Sequence, residues 1–168
     1  MTKNNIITII IVILVFVGIV WLAKPNGNGT KPPPAITANV GGAMLNATET
    51  FFNFGEVSMK KGLVKHDFKV TNQSATVTKI AKIYTSCMCT TASIITGQDR
   101  KGPFGMPGHG LVPKANAAIG AGEEATIEVV FDPAAHGPAG VGRIEREIYL
   151  EDEQDNQTVL KFEATVTP

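Results

Sequence analysis

The chain has 168 residues, with 15 basic and 15 acidic side chains, two cysteines, 17 glycines and 10 prolines. That length suits one domain with attachments. The zero formal charge lacks the basic excess of a nucleic-acid binder, and two cysteines are too few for a disulfide-framed miniature scaffold. Much of the 43% hydrophobic content lies at the N-terminal end.

After a short tail at residues 1–5, residues 6–23 run from Ile6 to Ala23 without a charge and consist mainly of Ile, Val, Leu and Phe. As a helix this stretch measures about 27 Å, close to the hydrocarbon thickness of a bilayer. It is therefore predicted to be a single transmembrane anchor. A signal-peptide cut after Ala23 would put bulky Trp21 where a small residue is expected, and no cysteine follows for lipid attachment. The anchor is thus read as uncleaved, with Trp21 at headgroup level and Lys24 just beyond. Lys3 and the terminal amine balance Lys24 and Lys31, so charge alone does not orient it.

Residues 24–47 are rich in Pro, Gly and Asn and include the run Pro32 to Pro34, the composition of a semi-extended spacer. From Thr48 the pattern changes to a period of two. Val64, His66, Phe68 and Val70 alternate with Lys65, Asp67, Lys69 and Thr71; Ala125, Ile127, Val129 and Phe131 alternate in the same way with more polar neighbours. Further strands are predicted over Thr48–Asn53, Thr76–Tyr84, Ile144–Glu151 and Thr158–Val166, separated by turn signals such as Asp132-Pro133 and Gly120-Ala121-Gly122. Residues 48–168 are expected to form an all-β, immunoglobulin-like antiparallel sandwich of about seven strands, with a Gly-rich insertion at 97–118.

Four motifs occur in order along this region: Phe54-Gly55-Glu56-Val57, His66 to Asn72, Ser86-Cys87-Met88-Cys89-Thr90, and Gly122 leading into Ala125–Asp132. Together they resemble the bacterial domain-of-unknown-function family 1573. Met88 stands where the family pattern has Gly, and Ala121 where it has Pro. The resemblance implies an immunoglobulin-like fold akin to the abnormal-spindle/hydin type, on secreted or membrane-anchored proteins, with no established activity. The expected location is the bacterial cytoplasmic membrane, with the C-terminal domain extracytoplasmic.

Chemistry is concentrated in Cys87 and Cys89. In a regular strand their Cα atoms would lie roughly 6.6–6.8 Å apart, at the limit for a disulfide unless the chain turns. One reading makes them small buried hydrophobes. A second makes them soft ligands for Cu(I), completed by Met106, His109 or His136 in Gly-rich loops. A third is reversible thiol redox work, although no Cys-x-x-Cys at a helix start is present. His66 alternates with core residues and reads as structural. The chain contains no Gly-x-Ser-x-Gly, no phosphate-binding loop and no His-Glu-x-x-His. The leading expectation is therefore a non-catalytic binding or structural module with a protein partner, no nucleic acid, and no cofactor unless Cu(I) is bound.

The zero net charge is a cancellation. Up to Lys82 there are nine basic and three acidic residues; from Ile83 there are six basic and twelve acidic. The lysines between Lys60 and Lys82 read as a solvated strand face or a surface for an acidic partner, with the stretch from Glu145 to Asp155 as the matching acidic side.

Overall fold

The computed structural model describes residues 45–108 and 113–168. The tail at 1–5, the anchor at 6–23 and the spacer as far as residue 44 lie outside them. Among the described residues, no helix is long and apolar enough to cross a membrane.

Ten strands follow in chain order: β1 (Leu45–Ala47), β2 (Phe51–Ser58), β3 (Val64–Asn72), β4 (Thr78–Thr85), β5 (Thr90–Thr96), β6 (Asp99–Phe104), β7 (Lys114–Ile119), β8 (Glu124–Phe131), β9 (Gly142–Asp152) and β10 (Gln157–Thr167). Single 3-10 turns occupy Met59–Lys61 and Gly137–Gly140. One sheet has the order β1-β3-β8-β5-β6, the other β2-β10-β9-β4-β7. The strand pairs are antiparallel, except that β2 runs parallel to β10, so the second sheet is mixed.

The period-two segments became the strands that fill the space between the sheets. Ala125, Ile127, Val129 and Phe131 of β8 face Leu160, Phe162, Ala164 and Val166 of β10, and all eight are buried. Phe68 and Val70 of β3, with Ile148 and Leu150 of β9, complete this layer. In β4, Ile80 and Ile83 are both buried although three apart, because a register shift between Ile80 and Lys82 reverses the side-chain phase.

Ten strands replace the expected seven for local physical reasons. β5 is covered on both faces at its centre, with Ala92, Ser93 and Ile94 all buried, so its sequence carries no alternation. The Gly-rich stretch 97–118 holds β6 and most of β7. In β6, Gly102 has φ +120° and a Cβ there would lie 2.9 Å from the Ala92 carbonyl oxygen, so only glycine lets the two strands approach. β7 does alternate, burying Ala115, Ala117 and Ile119, but its small residues give little strand signal.

Two polar features tie the sandwich together. Asn72, fully buried at the end of β3, donates from its amide to the carbonyls of Thr76, Ile119 and Gly120, reaching from one sheet to the other. Its side-chain oxygen accepts from the Ser74 amide and hydroxyl. His66 lies 3.0 Å from the Glu49 carboxylate and stacks on Phe52 at 3.6 Å between ring centres, the structural role its register implied.

The charge asymmetry resolves within the chain. Lys65 pairs with Glu128, Lys69 with Glu124, Lys79 with Glu153 and Lys82 with Glu151, at 2.8–3.7 Å. Basic strands of the first half lie against acidic strands of the second. Pairs with an exposed lysine contribute little each, but they occupy four lysines that a separate acidic partner would otherwise meet.

Candidate metal centre

The Cys-x-Cys segment is the crossing between sheets, from the end of β4 to the start of β5, and the chain turns there. The Thr90 amide donates to the Cys87 carbonyl at 3.1 Å, closing the turn. The buried Thr85 hydroxyl lies 3.0 Å from the Cys87 carbonyl oxygen and 2.9 Å from that of Thr90. The Ser86 amide donates to the Glu147 carbonyl, the Ser86 hydroxyl accepts from the Glu147 amide, and the Asp132 amide donates to the Cys89 carbonyl at 2.8 Å. The turn is therefore pinned to β9 and β8. Met88, at its apex, is 67% exposed.

The pinning to β8 also explains how His136 arrives. Asp132 follows β8 directly and caps the loop by accepting from the Ala134 amide. The loop then enters the Gly137–Gly140 turn, where Gly140 lies so close to His136 that a Cβ would stand 3.1 Å from the histidine Cβ. Cys87 Sγ lies 3.1 Å from His136 Nε2. The two sulfurs and a His136 ring nitrogen all lie within 4.8 Å of one another. Cys89 is buried, Cys87 half-buried and His136 exposed, so the group opens to solvent on the histidine side.

Donors surround the sulfurs. The Cys89 amide donates to Cys87 Sγ at 3.4 Å, and Arg146 Nε donates to Cys89 Sγ at 3.3 Å. Burial pushes the Cys87 thiol up, but contacts from the Cys89 thiol and amide, from His136 and from the Arg146 charge outweigh it and bring it down to about 7. Cys89 moves the other way, raised by burial and by its hydrogen bond to Cys87. For metal-free, reduced protein, alkylation followed by mass spectrometry is expected to show Cys87 reacting with a midpoint near pH 7 and Cys89 reacting later. His136→Ala moves the Cys87 midpoint upward, toward the ordinary thiol value of 9.0.

Of the predicted ligands, the fold brings together Cys87, Cys89 and His136. Met106 is 43% exposed just beyond β6, beside the turn through the Gly105 carbonyl, which accepts from the Thr85 amide at 3.3 Å. His109 lies outside the described residues. The residue that sequence reasoning missed is Arg146. Ile144, Ile148 and Leu150 mark the inward phase of β9, and Arg146 falls on that phase. A charged residue at an inward position was the available signal.

The sequence profile of a family described as protein of unknown function (DUF1573) matches residues 45–102. The matched stretch contains the Cys-x-Cys turn and ends before His136 and Arg146. No curated protein is matched in sequence. Among solved structures, the fold is similar to a protein of unknown function from Porphyromonas gingivalis W83, at 14% identity and a TM-score of 0.53, over 73% of this chain and 46% of that one. The chain therefore spans about half the length of that protein. It is also similar to the ASH / PapD-like domain 7 of human CEP192, at 9% identity and a TM-score of 0.43, over 74% of this chain and 85% of that one. The Pseudomonas aeruginosa CupB2 chaperone aligns at 13% identity and a TM-score of 0.38, over 72% of this chain and 55% of that one. These likenesses concern the fold alone.

Proposed function

We propose that this protein is a membrane-tethered, extracytoplasmic binding module that holds Cu(I) at Cys87, Cys89 and His136. The observation that carries the reading is the convergence of two sulfurs and one imidazole within 4.8 Å. Thiolates are soft ligands and select soft ions, and imidazole suits copper. The cysteine group opens to solvent on its histidine side, with Cys89 buried and Cys87 half-buried. The tether rests on the uncharged run from Ile6 to Ala23 and the Pro-rich spacer that follows it.

The same turn favours a second reading, a reversible Cys87–Cys89 disulfide, because it brings together sulfurs that a straight strand would hold apart. One experiment tests location and separates the two. Intact cells are treated with a membrane-impermeant thiol reagent, alone, after a Cu(I) chelator, or after a reductant, with denatured lysate as the control. Labelling released by the chelator is expected. Release by reductant alone assigns the disulfide, and labelling confined to lysate overturns the extracytoplasmic placement.

A further inference from the structure

We infer that Arg146 makes the cysteine site selective for a monovalent soft ion over a divalent one. The inference rests on the metal-binding reading and specifies its ion class. Arg146 Nε donates to Cys89 Sγ at 3.3 Å, and Nη1 donates to the carbonyl of Glu145 at 2.8 Å. Among the described residues, no carboxylate forms an ion pair with this guanidinium. Glu145 and Glu147, its neighbours on β9, both pair with Lys161 instead. The positive charge of Arg146 is therefore directed at the sulfurs.

Charge arithmetic then discriminates between ions. Two thiolates and a neutral imidazole carry −2. A monovalent ion leaves −1, which Arg146 brings to zero. A divalent ion neutralises the thiolates by itself, and Arg146 leaves an uncompensated +1 beside a half-buried site. Uncompensated charge is costly where water is partly excluded. The N–H donated to sulfur also tunes the ligand from outside, as outer-shell groups do in metal sites.

The test uses full-length protein in detergent micelles, with Ag(I) as a monovalent probe without redox chemistry and Cd(II) as a thiophilic divalent probe. Competition titrations give the ratio of the two affinities for wild type, Arg146→Gln and Arg146→Lys. Both ions need both thiolates, so any cost of ionising them, and any loss of folded protein, cancels in the ratio. Loss of the charge in Arg146→Gln is expected to shift the ratio toward Cd(II) by about 10- to 100-fold, the scale of one unit charge acting at contact range in a partly solvated site. Arg146→Lys is expected to keep most of the preference. Arg146→Met retains an unbranched apolar stem and is read in parallel should the glutamine variant not fold. An unchanged ratio in the neutral variants overturns the inference while leaving the site intact. A wild-type protein that binds neither ion instead overturns the metal reading itself.

Discussion

Full-length protein carrying Cys87→Ser and Cys89→Ser together is expected to bind no Cu(I) in competition with a chromogenic Cu(I) chelator, where wild type takes up about one ion per chain. A serine hydroxyl is a hard, protonated oxygen and replaces a thiolate in neither charge nor softness. Circular dichroism and thermal unfolding should show the sheets retained. The turn is held mainly by backbone hydrogen bonds and by the Thr85 and Ser86 hydroxyls, to which the sulfurs add the contacts from the Cys89 amide and Arg146. The double change should cost stability within the ~0.5–3 kcal/mol of ordinary point substitutions, mostly from Cys89, which is only 2% exposed. His136→Ala should weaken Cu(I) binding by more than the ~10- to 100-fold seen when a group outside the ligand set is lost. Binding that survives the double serine change would remove the cysteines from the site.

Asn72→Ala is expected to be the most damaging single change to the fold. The side chain is fully buried and makes five contacts: its amide donates to three carbonyls, and its oxygen accepts two hydrogen bonds from Ser74. Truncation leaves the carbonyls of Ile119 and Gly120 with fewer donors at the closing edge of the sandwich. It also frees the turn after β3. Allowing about 1 kcal/mol for each hydrogen bond lost, with a further penalty for groups left buried and unpaired, the loss is about 3–5 kcal/mol. Urea unfolding would show this as a lower midpoint at unchanged slope. A change below about 1 kcal/mol would mean that Asn72 does not join the sheets in solution.

What could be read from the chain follows from where each strand sits. β3, β8 and β10 were legible because each has one face on the core and one toward solvent, so Phe68, Ile127 and Phe162 recur at the strand period. β5 lies inside its sheet with both faces covered at its centre, and burial on both sides erases alternation. β6 is charged and bent at Gly102, and β1 has only three residues. The parallel pairing of β2 with β10 depends on partners 110 residues apart, such as Asn53 and Glu163, which no local pattern encodes.

The site divides in the same way. Cys87 and Cys89 were conspicuous as the sole cysteines, and His136 as a histidine in a loop. Their meeting required the fold, because Cys87 and His136 stand 49 residues apart and are joined through the hydrogen bond from Asp132 to Cys89. The straight-strand geometry that set the sulfurs at the edge of disulfide range gave way to a turn. That turn is what makes a shared ligand possible.

X-ray absorption at the copper edge of Cu(I)-loaded, full-length protein tests the central claim most directly. The expected first shell holds two sulfurs and one imidazole nitrogen, with the imidazole contribution lost in His136→Ala and the sulfur contribution lost in the double serine variant. A first shell without two sulfurs, or a spectrum indifferent to both variants, would contradict it.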